Sequence, residues 1–249
     1  STPSNSSAAS DVYKRQLANF KGRVIDIDLA SSALGWNLAT ADFLLGDRLE
    51  PDVRKLIRDQ CQRRIIKPFR DMVAGKRKRN WWMTGTNNWN AVCLAGVTGT
   101  ALALLDSREQ RALFVAAAEH YSTYFLRGFT PDGYCSEGLG YWNYGFGHYL
   151  LLAEAIAQAT GGRVDLMARK GVEQAATFGA RVEIINGVYP AFADCSPRSK
   201  PDSRAMAFIS RRLRLGLRRW EKVDTVGPSG ALFTTMMSVS YTHLTLPTN

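Results

Sequence analysis

The sequence predicts a mainly α-helical fold assembled from helical hairpins. Two segments carry that expectation. Ala91–Leu105 is small-residue-rich and apolar nearly all round, as a buried inner helix must be. From Pro51, the residues Val53, Ile57, Cys61, Ile65 and Phe69 recur every fourth position with Arg and Lys between them, which marks an amphipathic helix packing one face on a core. A third observation concerns the connections: two are long and unusually rich in Trp, Tyr and Asn, too aromatic for disordered linkers. Alternation of buried and amphipathic helices suits a curved solenoid or a closed helical toroid, with function in the loops at one end.

Composition is compatible with this. At 249 residues, with 45% hydrophobic and 22% charged residues, the chain can bury a core as one large domain or two small ones. It is neither collagen-like nor disordered throughout, and no apolar run is long enough for a membrane span. Cys61, Cys93, Cys135 and Cys195 lie far apart without a CxxC pair, so neither a zinc site nor a disulfide framework is expected. No cofactor is implied. The net charge of +10 points to an anionic partner: nucleic acid, an acidic surface or an acidic polysaccharide.

Both ends are set aside before the elements are placed. Ser6 to Gln16, SSAASDVYKRQ, resembles a transposon-based sequencing-library adapter translated in frame. Val239 to Thr248, VSYTHLTLPT, resembles its reverse complement. Residues 1–16 and 239–249 are therefore expected to be adapter-derived, with 17–238 an internal piece of a longer gene. His243 then belongs to the adapter, leaving His120 and His148.

The first helix is expected over Ile25 to Leu45, stopped by Gly46. The second starts at Pro51, and Pro68 should bend or end it. A basic, aromatic loop follows, GKRKRNWWMTGTNNWN, from Gly75 to Asn90, then the buried helix to Leu105. Ser107 with Gln110 reads as a capping box opening a helix to about Arg127. Thr130 to Gly140 is the second long loop. Helices from about Tyr141 to Thr160 and Val164 to Arg181 come next. Asn186-Gly187 suggests a small hairpin within Val182 to Phe192. Arg204 to Leu217 can form a last helix, and the remainder to Ser238 is weakly patterned.

The two loops hold the candidate chemistry. The first joins Lys76, Arg77, Lys78 and Arg79 to Trp81, Trp82, Asn87, Asn88, Trp89 and Asn90. The second brings Asp132, Tyr134 and Glu137, then Tyr141, Trp142, Tyr144 and, a turn later, His148 and Tyr149. Trp and Tyr pair a large apolar face with a polar tip, which suits sugar rings. Asn both donates and accepts. Plainer roles stand beside these: a solvated basic run, Trp81 and Trp82 anchoring the loop, and Asn residues forming turns and caps. Likewise His120 and His148 can be structural, Glu137 can cap the following helix, and the cysteines can be small buried hydrophobes.

WWMTGTNNWNAVCLAG followed by DGYCSEGLGYWNYGFGHYLLLAEAI resembles the helical domain of heparinase II/III-type polysaccharide lyases and their alginate-lyase relatives. The spacing of NNWN from DG...EG..YW.YG, one helix pair apart, is the most specific part. The resemblance implies an incomplete (α/α) toroid whose usual following β-sandwich is absent here, and a periplasmic or secreted bacterial protein. It also implies β-elimination beside a uronic acid. Asn88, with Asn87 and Asn90 as neighbours, would neutralise the carboxylate. Tyr141, with Tyr144 as close rival, would serve as acid and base once its phenolate is stabilised. Substrate contacts would come from Asn87, Asn90, Trp81, Trp82, Trp89, Trp142, Arg77, Arg79, Glu137 and His148. Several relatives carry histidine after the loop Asn, where this chain has Trp89 or Asn90. Three readings follow: a lyase on a uronate-containing acidic glycan, a non-catalytic binder of such glycans, and, last, a nucleic-acid-binding helical repeat supported by charge alone.

Overall fold

The computed structural model describes residues 26–223, which are mainly helical and contain no strand. Both adapter-like ends, and the weakly patterned stretch after 223, lie outside the described residues. The α-helices are α1 (Leu29–Leu45), α2 (Pro51–Cys61), α3 (Lys67–Val73), α4 (Asn88–Leu104), α5 (Arg108–Leu126), α6 (Gly138–Thr160), α7 (Val172–Arg181), α8 (Ser203–Arg212) and α9 (Arg218–Glu221).

α1 starts later than its apolar run suggests because Asp28 caps it. The Ser31 amide donates to Asp28 Oδ1 at 2.7 Å, and the Asp28 amide donates back to Ser31 Oγ at 2.9 Å. Pro68 does not end the second helical stretch. A π turn over Gln62–Ile66 joins α2 to α3, with the Lys67 amide bonded five residues back to Gln62 O. An apolar repeat of four drifts around a helix of 3.6 residues per turn. The wider turn absorbs that drift and keeps Cys61, Ile65 and Phe69 buried together.

α4 is the centre of the molecule. Fourteen of its seventeen residues are buried, so it has no solvated face. Glycines set how close its neighbours come. A Cβ at Gly96 would lie 2.5 Å from the Ser32 backbone, and one at Gly99 would lie 2.1 Å from the Trp36 indole. Since 32 meets 96 and 36 meets 99, α1 and α4 run parallel. The starts of α4 and α6 meet at that same end, where Trp82 Nε1 also donates to Ile27 O just ahead of α1. α5, capped by Ser107 as expected, returns along α4.

A link between α1 and α2 was not visible in the sequence. Asp42 is fully buried near the end of α1, accepting from Arg54 Nε at 3.0 Å and Arg58 Nη2 at 2.7 Å. Past α6, the helix expected from Val164 is split. Gly171, at φ +86°, separates the short 3-10 turn Leu166–Ala168 from α7. The expected hairpin shrinks to one bridge, Ile185 to Val188, around Asn186 and Gly187 at positive φ. The last expected helix stops at Arg212, with Arg214 left-handed beyond it. No helix among the described residues is long and apolar enough to cross a membrane.

Candidate functional site

The first loop ends sooner than its composition suggests, because Asn87 caps α4 by accepting from the Trp89 amide at 3.2 Å. Asn88 is thereby the first helical residue, and its amide would be an orphan donor. Glu137 supplies the acceptor. Its Oε2 takes the Asn88 backbone N–H at 3.0 Å and its Oε1 takes Asn88 Nδ2 at 2.8 Å. One carboxylate thus fixes both the start of α4 and the orientation of the carboxamide. Glu137 also stands at the N-cap position of α6, as expected, but its side chain makes no cap bond there and turns to Asn88 instead. Asn88 is 4% exposed, and its Oδ1 is buried without a hydrogen-bond partner. Gly145 of α6 permits the approach, for a Cβ there would lie 2.8 Å from Asn88 Cβ.

Tyr141, Tyr144 and His148 recur along α6 at helical spacing, with Gly145 among them. Both tyrosines are 38% exposed. His148 Nδ1 lies 2.6 Å from the Tyr144 carbonyl oxygen, and its ring meets the Tyr144 ring edge-on at 4.8 Å. A carbonyl only accepts, so Nδ1 carries the hydrogen and Nε2 holds the lone pair. Burial lowers the His148 pKa from its usual 6.5, against the opposing pull of that hydrogen bond, and the imidazole is neutral at pH 7. Burial raises the Tyr144 phenol, and the nearby Cys93 thiol adds to the shift. Tyr144 therefore keeps its proton at neutral pH and can act as a hydrogen-bond donor.

The aromatic residues divide. Trp81, half exposed, packs against the partly buried Trp89 with ring centroids 5.1 Å apart. Trp82, by contrast, is fully buried and stacks with Phe69 at 6.2 Å. Trp142 is buried too, donating from Nε1 to Ala175 O at 2.8 Å and stacking with Phe146. Asn90 is completely enclosed. Its Nδ2 donates to Trp82 O and Met83 O at 3.0 Å and to Tyr121 O at 3.2 Å, tying the loop to α5. Trp82, Trp142 and Asn90 are thus core anchors in this structure, not surfaces for a ligand. Both indole N–H groups and the Asn90 amide nitrogen have found backbone partners, while Asn90 Oδ1 is buried without one.

The basic residues of the first loop stay near the surface. The Arg77 backbone N–H donates to Asp71 O at 3.1 Å, closing the turn after α3. The Arg79 guanidinium lies 5.9 Å from the Tyr121 ring centroid. Asn87 is partly buried and occupied as a cap. Gly145 escaped the sequence reading, although a lone glycine inside a helical pattern is a known mark of close approach. Among the described residues, no group of three or more His, Cys, Asp or Glu is placed to hold a metal ion. Neither protein-family models nor curated proteins give a match to this chain.

Proposed function

We propose that the chain is the helical part of a polysaccharide lyase acting on a uronate-containing acidic glycan by β-elimination. One observation carries this reading: the Asn88 carboxamide is clamped at the start of α4 against the face of α6 that displays Tyr141 and Tyr144. An amide nitrogen has two hydrogens, and Glu137 takes one, so the other suits a substrate carboxylate. A base removes the hydrogen from the carbon bearing that carboxylate. Its electron pair forms the new C=C bond as the bond to the glycosidic oxygen breaks, and a phenol protonates the departing oxygen. Tyr141 is assigned as acid and base, and Tyr144, held in its protonated form, as a donor only. Stabilisation of the charge developing on the carboxylate is the largest demand on the site. The finer architecture, an incomplete (α/α) toroid followed in the complete protein by a β-sandwich, belongs to the same proposal.

The test is release of unsaturated uronate, followed by ultraviolet absorbance across a panel of acidic glycans. Both this chain and the complete gene product are assayed, with Tyr141→Phe in parallel. Product formation lost in the variant supports the assignment. No unsaturated product from any glycan, given folded protein, refutes the lyase.

A second reading is favoured by the stretch after Asn88, where this chain has Trp89 or Asn90 in the place at which several of the resembled lyases carry histidine. On that reading the protein binds acidic glycans without cleaving them. Saturable binding with intact chains supports it, and cleavage that depends on Tyr141 removes it.

A further inference from the structure

Tyr121 and Tyr124 on α5 lie with their rings 6.5 Å apart and 27° from parallel. Each ring also has a guanidinium over it: Arg79 lies 5.9 Å from the Tyr121 centroid and Arg127 lies 4.6 Å from that of Tyr124. His120 meets both rings edge-on, at 4.8 Å and 6.3 Å. The result is a pair of stacked rings with a guanidinium over each. Arg79 and Arg127 are both exposed, and neither is ion-paired to a carboxylate among the described residues. A guanidinium seated over a ring gives up part of its rotamer freedom while keeping N–H donors that the ring does not use. Those donors match a carboxylate or sulfate with two parallel hydrogen bonds.

The backbone just after α5 adjoins the candidate site. Gly128, next to Arg127, lies so close to the Asn87 turn that a Cβ on it would fall 1.8 Å from Thr86 O. Two cations seated on rings of α5, whose end adjoins the Asn87 turn, can receive charge from a ligand that enters there. We propose that Arg79 and Arg127, seated on Tyr121 and Tyr124, form an anion-receiving subsite for a carboxylate or sulfate group of an acidic oligosaccharide bound at the α4–α6 site. The ligand class rests on the proposed glycan function, while the subsite rests on the stack.

The experiment titrates the whole chain with hexasaccharides of heparin, alginate and polygalacturonate by calorimetry, over a range of salt concentrations. Arg79→Gln/Arg127→Gln is compared with Arg79→Lys/Arg127→Lys, and melting curves confirm that each variant is folded. The expected result is a Kd raised about 10-fold or more in the Gln pair, with the slope of log Kd against log salt reduced by about 2, one for each lost contact. The Lys pair keeps the slope but regains only part of the affinity, because the fork is gone. Unchanged affinity in a folded Gln pair overturns the subsite, as does failure of the parent to bind any of the three sugars. Equal binding of a DNA oligonucleotide of matched charge, equally weakened in the Gln pair, overturns its assignment to glycans. The two proposals fail separately. Unsaturated uronate released with an unweakened Gln pair removes the subsite and leaves the lyase. Binding lost in the Gln pair of a protein that cleaves nothing removes the lyase and leaves the subsite.

Discussion

Glu137 offers the sharpest test of how the site is held, because one side chain satisfies two donors of one residue. Glu137→Ala removes the acceptor for the Asn88 amide at 3.0 Å and for Nδ2 at 2.8 Å. Hydrogen bonds to a charged group contribute about 1.5–3 kcal/mol each. Glu137 is partly exposed, which places both bonds at the low end, and Asn88, at 4% exposure, gives water little access to the abandoned donors. The expected loss is about 3 kcal/mol, read from urea unfolding at pH 7. Glu137→Gln should cost much less, about 1 kcal/mol, through a specific rearrangement. The glutamine oxygen keeps the backbone N–H, and its NH2 then faces Asn88, which turns its amide over to accept with Oδ1. That oxygen has no partner in the parent, so the turn gives it one. An alanine variant within 0.5 kcal/mol of the parent, on the order of one weak hydrogen bond, would refute the clamp. Equal losses in the two variants would refute the amide turn.

Three further outcomes follow from the packing. Gly96→Ala should destabilise by more than about 3 kcal/mol in denaturant unfolding, since the new methyl meets the Ser32 backbone at 2.5 Å and no side chain can yield. Trp82→Phe should cost about 1–3 kcal/mol by the same assay, losing the bond to Ile27 O, whereas Trp81→Ala should stay near 1 kcal/mol and act on glycan binding instead. His148 has a folded pKa lowered by burial, so the unfolded chain takes up the proton first as pH falls. Its contribution to stability is complete above about pH 6.5 and declines as pH drops from there through the folded value. The fall in urea midpoint between pH 7.5 and pH 5.5 should therefore be smaller in His148→Gln.

The helical class and the central role of α4 were legible because burial on all sides leaves a direct mark on composition: Ala, Gly, Thr, Val and no charge from Ala91 to Leu104. Boundaries were less so. Local capping set them, as at Asp28 and Asn87, and a cap is a single hydrogen bond that a stretch of apolar residues does not announce. Pro68 was expected to bend or end the second stretch, and it does not end it. Its ring forbids a regular turn, but the π turn ahead of it supplies the room, and nothing in the order of Gln62 to Ile66 signals that widening. The two loops named from sequence do meet, through Glu137 and Asn88, yet the sequence could not sort Trp81 from Trp82 or Asn88 from Asn90. Adjacent residues of one type take opposite roles according to which way the helical turn points them. Trp82 and Asn90 turn inward onto Ile27, Met83 and Tyr121, while Trp81 turns outward. The Asp42 pair with Arg54 and Arg58 was hidden because its partners are separated by a turn and a second helix.

Glu137 also separates two roles for Asn88 that structure alone makes compatible. A carboxylate beside Asn88 repels a second carboxylate, so a uronate bound there works against Glu137 even while using the amide that Glu137 orients. Removing the charge should then help the ligand. In Glu137→Gln the repulsion is gone, and the turned amide presents its NH2 group where Oδ1 stood. If Asn88 neutralises a uronate, this variant should bind the acidic hexasaccharide several-fold more tightly than the parent, with turnover lowered because the amide is no longer aligned against Tyr141. If Asn88 is only the first residue of a well-capped helix, affinity should not move. Tighter binding with slower cleavage assigns Asn88 to the substrate carboxylate. Weaker binding would mean that the parent's amide oxygen, and not its nitrogen, faces the ligand, and that the group recognised there is a donor such as a sugar hydroxyl.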